Sequence, residues 1–157
     1  MRAFISSTYE DLSEHRTILE QSLSISGIDF NAMEHFGSVS TPPLQTCLDA
    51  IDQSDCFIGV LGVKYGASPP KSKLSFTERE YQHARSLKIP MLMFLIDPNR
   101  AAVSPESLLN ETADQQARLK KLKTSVEKKH TVTYFTTPED LARLVLASLI
   151  KQIGVIP

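Results

Sequence analysis

One acidic side chain interrupts the apolar face of a predicted helix in the stretch SFTEREYQHARSLKIP, residues 75–90. At about 100° per residue, Phe76, Ala84 and Leu87 fall within roughly 80° of one another. Glu80 lies inside that same arc. Burying a carboxylate without partners is costly or forces a pKa shift. Glu80 is therefore either satisfied by a neighbouring backbone group or arginine, or it is a functional carboxylate, and the pattern alone leaves both interpretations open.

Glu78, two residues before Glu80, has a structural explanation. Ser75 and Glu78 have the spacing of a capping box, in which the glutamate reaches back to the backbone N–H of the serine. We therefore expect Glu78 to stabilise the helix start and to take no part in chemistry. Thr8 and Asp11 show a similar pattern and predict a first helix that opens at Thr8. Because Glu10 and Asp11 would occupy its positive end, an anion site at that N-terminus is disfavoured.

Strands and helices alternate along the chain. Strands are predicted at RAFIS (2–6), IDFNAM (28–33), CFIGVLG (56–62), PMLMFLI (90–96) and TVTYF (131–135). Helices are predicted to begin at Thr8, Thr41-Pro42-Pro43, Ser75, about residue 113 and Thr137-Pro138. The third and fourth strands are continuous apolar runs, which is typical of strands buried on both faces. The pattern predicts a flavodoxin-like three-layer α/β sandwich whose five-stranded parallel sheet has the order 2-1-3-4-5.

This topology predicts where a ligand would bind. In such a sheet, ligands bind beyond the carboxyl ends of the strands where the order reverses, here between strands 1 and 3. Those ends carry Ser6 and Ser7 on one strand and Gly62 through Tyr65 on the other. The helix that bears Glu80 follows strand 3 directly. The sequence therefore brings Glu80 near the predicted crevice.

Length and composition exclude several classes of protein. The 157 residues, 41% hydrophobic and 22% charged, predict one globular domain spanning 1–157. A net charge of −1 argues against a general nucleic-acid partner. No apolar run approaches the ~20 residues needed to cross a bilayer. The start MRAFISSTYEDL has too short an apolar stretch for a signal peptide, so we expect no membrane partner and a cytoplasmic location.

Metal, thiol and nucleotide-loop motifs are missing from the sequence. Cys47 and Cys56 are too far apart for a CxxC motif and are predicted to be buried apolar residues. The four histidines have no metal-ligand spacing, and the glycines fit neither GxGxxG nor the Walker pattern. There is no GxSxG elbow. We therefore expect no bound metal and no resident cofactor.

Four ordered motifs resemble those of a known family. They are FISSTYEDL, MEHFGS, LDAIDQSDCFIGVLGVKYG and SFTEREYQHA. The chain resembles, over nearly its whole length, an uncharacterised TIR-like family that usually forms the N-terminal domain of larger proteins with NACHT or related NTPase modules and tetratricopeptide repeats. It is more distantly similar to TIR NAD hydrolases and nucleoside 2-deoxyribosyltransferases. Those groups share a glutamate on the helix after strand 3, and Glu80, Ala84 and Lys88-Ile89-Pro90 fall in their register. Phe76 stands where TIR NAD hydrolases commonly have Trp.

The resemblance implies an NAD⁺ glycohydrolase that acts as an effector domain in defence or signalling. It implies that Glu80 is catalytic and that substrate, not a protein cation, offsets the cost of its burial. It also implies a lid at 63–74, self-association, and NTPase or repeat domains on the C-terminal side. The residues it places around the substrate are Ser6, Ser7, Gly62, Tyr65 and Phe76. Two alternatives stay open: a non-catalytic self-association module, and a nucleoside or nucleotide N-glycosidase or deoxyribosyltransferase.

Overall fold

The computed structural model describes residues 1–33, 37–40 and 43–154. Its strands are β1 (Arg2–Ser7), β2 (Asp29–Asn31), β3 (Cys56–Leu61), β4 (Met91–Ile96) and β5 (Val132–Phe135). Its helices are α1 (Ser13–Ile25), α2 (Pro43–Asp52), α3 (Phe76–Leu87), α4 (Ala113–Lys129) and α5 (Pro138–Ile153). The predicted α2 start at Thr41-Pro42 lies outside the described residues. A short 3₁₀ turn, Pro105–Leu108, precedes α4.

The five strands form one parallel sheet in the order β2-β1-β3-β4-β5, which confirms the predicted fold. One apolar core lies between the sheet and the pair α1 and α5, with Leu19 and Val145 among its buried members. A second core lies on the opposite face beneath α2, α3 and α4, and includes Ile51, Ala84 and Leu122. All six residues of β3 are buried, as expected for a central strand covered on both faces.

The first helix starts later than the sequence predicts. The Thr8 hydroxyl does donate to the Asp11 carboxylate, but residues 10–12 form a turn and α1 begins at Ser13. The second oxygen of Asp11 accepts the backbone N–H groups of Val63 (2.8 Å) and Lys64 (3.0 Å) from the loop after β3. This contact between distant parts of the chain takes precedence over a local cap, because it satisfies two loop donors at once.

The buried face of α3 differs in part from the predicted arc. Thr77, Glu80, Tyr81 and Ala84 are its buried residues, whereas Leu87 is 39% exposed. Glu80 is thus buried as predicted, and the apolar group beside it is Tyr81 rather than Leu87. In the part of the chain that the structure describes, no helix combines the length and apolar character needed to span a membrane.

Candidate active site

The two serines at the end of β1 face opposite sides of the sheet. Alternation along a strand turns Ser6 toward α3 and Ser7 toward α1. Ser6 lies opposite Gly59 of β3 in the register. The carboxyl end of β1 can therefore contact polar groups from both helical layers at the point where the strand order reverses.

Glu80 is held by Ser6. The Ser6 hydroxyl donates to Glu80 Oε1 at 2.6 Å, and the two residues are 1% and 5% exposed. A hydroxyl-to-carboxylate bond of this length is a strong, charge-assisted hydrogen bond. The protein therefore offsets part of the cost of burying Glu80 through a neutral hydroxyl, and the role of substrate in offsetting the rest stays a prediction.

Arg16 approaches the end of β1 from the opposite side. This residue of α1 is 6% exposed, and its Nη1 donates to the backbone oxygen and the hydroxyl of Ser7, both at 3.2 Å. Glu20, one turn further along α1, lies 4.0 Å from its Nη2. A buried guanidinium and a buried carboxylate thus stand on either side of the β1 terminus.

Both groups open onto one cavity of about 720 Å³. Its walls come from β1 and the following loop, α1, the residue Met33 after β2, the loop after β3, the first turns of α3, and the start of α4 with the segment before it. The lining residues are Ile5, Ser7, Thr8, Tyr9, Glu10, Arg16, Met33, Lys64, Gly66, Ala67, Phe76, Thr77, Glu80, Asn110, Glu111 and Gln115. The volume lies within the range of about 300–1,000 Å³ that small-molecule sites occupy.

The loop after β3 is anchored where it borders the cavity. Asp11 accepts from the backbone of Val63 and Lys64, and Glu111 accepts the Tyr65 N–H at 2.7 Å. Gln116 of α4 donates to the Val63 oxygen at 3.0 Å. The first residues of the predicted lid at 63–74 are therefore anchored, and any movement of that lid would involve its later residues.

Tyr65 connects the anchored loop after β3 to the start of α3, and it takes the hydrogen-bond donor that was predicted for Glu78. The Ser75 hydroxyl accepts the Glu78 N–H at 3.1 Å, as predicted. The Ser75 N–H, however, donates to the Tyr65 hydroxyl at 3.1 Å, and that hydroxyl donates to Glu78 Oε1 at 3.2 Å. Burial raises the pKa of the Tyr65 phenol, which keeps its proton available for this bond. Only half of the predicted capping box forms, because an aromatic hydroxyl stands between its two partners.

The predicted substrate-binding residues occupy different places. Ser7 and Phe76 line the cavity, and Ser6 contacts it through Glu80. Among the described residues, Gly62 and Tyr65 are not part of the lining. Gly62 instead packs so closely on Asp11 that a Cβ would overlap its carboxylate oxygen, and the Cβ would also be tight against Leu12. Its position explains why glycine is required there, and a contact of Gly62 or Tyr65 with substrate stays a prediction.

Sequence reasoning missed two cations of the cavity, Arg16 and Lys64. Arg16 carried a usable signal, since it falls on the same α1 stripe as Leu12, Leu19 and Leu23 and interrupts it as Glu80 interrupts α3. Lys64 lies in an irregular segment and carried none. Within the described residues, no group of three or more His, Cys, Asp or Glu side chains could hold a metal ion.

One known protein family matches this chain over nearly its whole length. The family described as "Domain of unknown function (DUF4062)" matches residues 2–150, nearly the full length. The chain belongs to this family. The family description names no activity, and a fold by itself does not specify one.

Two mammalian proteins are similar in sequence to part of this chain. "Telomerase protein component 1" of Rattus norvegicus is 28% identical over 130 residues, and the Mus musculus protein of that name is 27% identical over 129 residues. Each alignment covers 69% of this chain and 5% of the relative, so the chain spans a small fraction of these proteins.

Two solved structures show weak similarity. A flavodoxin-like domain from Synechococcus has a TM-score of 0.34 and 12% identity, covering 93% of this chain and 98% of that one. The substrate-binding protein CD0873 from Clostridium difficile has a TM-score of 0.32 and 14% identity, covering 96% and 62%. The fold assignment rests on the observed strand order rather than on these two structures.

Proposed function

We propose that the DUF4062 domain is an N-glycosyl hydrolase that cleaves the bond between ribose and a base in a nucleotide, with NAD⁺ as the leading substrate. One observation carries the proposal. A carboxylate that is 5% exposed, Glu80, is oriented by the Ser6 hydroxyl at the edge of a ligand-sized cavity, at the switch point of the sheet.

The chemistry suits a single buried carboxylate. When the bond between C1′ and the nicotinamide nitrogen breaks, its electron pair neutralises the ring, and the base leaves without a proton from the enzyme. The ribose passes through an oxocarbenium-like state, as in glycoside hydrolysis. Glu80 would stabilise that positive charge, an interaction that is strongest in the transition state. Water then adds to C1′ and releases one proton, giving ADP-ribose and nicotinamide.

Other cavity residues support a nucleotide rather than an apolar ligand. Phe76 is partly buried in the cavity wall and offers a surface for stacking a base. Arg16 and Lys64 add buried positive charge to the same cavity. The register of Glu80, Ala84 and Lys88-Ile89-Pro90, which resembles that of TIR NAD hydrolases and deoxyribosyltransferases, adds support from the sequence.

We propose further that this activity serves as the effector of a longer defence or signalling protein, controlled by self-association. The support is the resemblance to TIR-like N-terminal domains, together with relatives that are far longer than this chain. Clustering would then raise turnover above that of the dilute domain.

A substrate panel tests the proposed function. The domain is incubated with NAD⁺, NADP⁺, ATP, adenosine and deoxyadenosine, and free base is followed by chromatography, with a heat-inactivated sample as control. Each substrate is tested with dilute protein and with protein fused to a scaffold that enforces clustering. Release of nicotinamide is the expected result. Release only from nucleosides would favour the alternative N-glycosidase or transferase, and no release in either state would favour a non-catalytic self-association module.

A further inference from the structure

An ion pair with very unequal exposure borders the cavity. Lys64 Nζ lies 2.5 Å from Glu10 Oε2. The side chain of Lys64 is 7% exposed, whereas that of Glu10 is 72% exposed. Both residues line the cavity that holds Glu80. The ammonium group of Lys64 is therefore buried in the protein interior, and the carboxylate of Glu10 contacts it from the surface.

The two partners differ in how easily they can leave. The backbone of Lys64 is fixed by Asp11, and a buried ammonium requires an anion beside it. Glu10 is 72% exposed and can return to water with little loss of hydration, provided that another anion takes its place beside Lys64. The carboxylate of Glu10 can therefore be replaced by another anion, whereas Lys64 stays in place.

A phosphate group is the anion that this arrangement fits. It carries more charge than a carboxylate and offers more acceptor oxygens to an ammonium donor. Arg16, which is 6% exposed, adds a second cation to a lining that also holds the carboxylates of Glu80 and Glu111. A neutral nucleoside could not replace Glu10, since it has no charge to give Lys64 in exchange.

We infer that Lys64 is the phosphate-binding residue of this cavity and that Glu10 is a built-in competitor, displaced when a substrate with a phosphate or diphosphate enters. The inference rests on the proposed function in that it names the substrate class of the same cavity. The cavity should therefore prefer ligands with a phosphate group over nucleosides that lack one. In the protein without ligand, Glu10 should occupy the site beside Lys64 and prevent weakly binding anions from entering.

Direct binding measurements separate this inference from catalysis. The ligand is ADP-ribose, which already lacks the bond to be cleaved, with inorganic pyrophosphate and adenosine as comparisons, each titrated by calorimetry. Glu10→Gln should tighten ADP-ribose binding by about 3- to 10-fold, because the competing charge is gone. Lys64→Met should weaken it by about 10- to 100-fold, the scale of one charge-assisted hydrogen bond. Neither substitution should alter adenosine binding.

Matched variants control for general charge effects and for folding. Glu14→Gln removes the same charge from an exposed position in the first turn of α1, and Lys120→Met removes a lysine from the exposed face of α4. Both should leave ADP-ribose affinity unchanged. Lys64→Arg keeps the positive charge and should retain most of the binding. If it does, the loss of binding in Lys64→Met results from the loss of charge and not from a general effect of substitution at this position.

Each outcome decides one question. The inference is overturned if wild-type protein binds neither anion at millimolar concentration, or if the Glu10 and Lys64 variants bind ADP-ribose no differently from their controls. NAD⁺ turnover with unchanged ADP-ribose binding in Lys64→Met would retain the proposed function and reject this subsite. Phosphate-dependent binding that obeys the predictions without any release of base would retain the subsite and reject the hydrolase.

Discussion

The hydroxyl of Tyr65 offers a quantitative test of how the start of α3 is held. It accepts the N–H of Ser75, which is 0% exposed, and it donates to Glu78. Tyr65→Phe removes the oxygen but keeps the ring, so the Ser75 N–H loses its acceptor in the interior. Leaving such a donor unsatisfied costs about 1–3 kcal/mol. We therefore expect the free energy of unfolding to fall by about 2 kcal/mol.

The assay is urea unfolding together with a thermal melt. For a domain of this length, each kcal/mol corresponds to about 2–4 °C, so Tyr65→Phe should lower the Tm by about 4–8 °C. Tyr9→Phe, which removes the same atom from a side chain that is 64% exposed, is the control and should change little. Glu78→Gln should also be mild, since its amide oxygen can still accept from Tyr65. A Tyr65→Phe variant within about 0.5 kcal/mol of wild type would refute this account of the helix start.

Three further predictions concern residues outside the proposed chemistry. Cys47→Ala and Cys56→Ala should each cost about 1 kcal/mol in chemical unfolding through lost packing, without abolishing base release. Because burial raises the pKa of Cys56 to about 11, its thiol should also resist alkylation in the folded protein. Gly62→Ala should destabilise by about 1–3 kcal/mol in urea, because its Cβ would overlap the Asp11 carboxylate; a neutral change would contradict that packing. Burial lowers the pKa of His15, so the unfolded chain binds a proton at this residue more readily than the folded protein does. The free energy of unfolding should therefore fall as the pH drops below about 6.5. His15→Gln should reduce that fall when unfolding is compared at about pH 7.5 and about pH 5.5.

The strand order could be predicted because it depends on patterns that are local or alternate regularly. The continuous apolar run CFIGVLG identified a central strand, and β3 is buried along its whole length. The polar helix predicted at about 113–129 is α4, whose start is fixed by a reciprocal cap between Thr112 and Gln115. Both partners of that cap lie within three residues of each other, so the sequence contained all the necessary information.

Local patterns were misleading where a distant group competed for the same donor or acceptor. Asp11 was expected to cap a helix at Thr8, but it accepts two N–H groups from a loop 52 and 53 residues away. Glu78 was expected to reach the Ser75 N–H, but the Tyr65 hydroxyl takes that donor. A sequence pattern cannot show whether a local or a distant hydrogen-bond partner will be preferred, because the distant partner comes close only when the chain is folded.

The candidate site could be predicted from the sequence only in part. Glu80 interrupts an apolar stripe and follows strand 3, and these two facts placed it at the crevice. Ser6 could be placed at the same edge, although its hydrogen bond to Glu80 requires the orientation that β1 and α3 adopt together. The pairing of Lys64 with Glu10 could not be predicted, because residues in irregular segments have no periodicity that indicates the direction of their side chains.

The central claim is tested most directly by comparing Glu80→Gln with Glu78→Gln. Both substitutions remove one carboxylate charge from α3 and keep the shape of the side chain, but only Glu80 lines the cavity. The measurement is the rate of nicotinamide release from NAD⁺ per folded molecule, with thermal melts to confirm that both variants fold. We predict a fall of at least ~100-fold for Glu80→Gln, the scale of losing one electrostatic stabiliser, and nearly unchanged release for Glu78→Gln. Equal rates in wild type and folded Glu80→Gln would contradict the account and leave Glu80 as a structural carboxylate bound to Ser6.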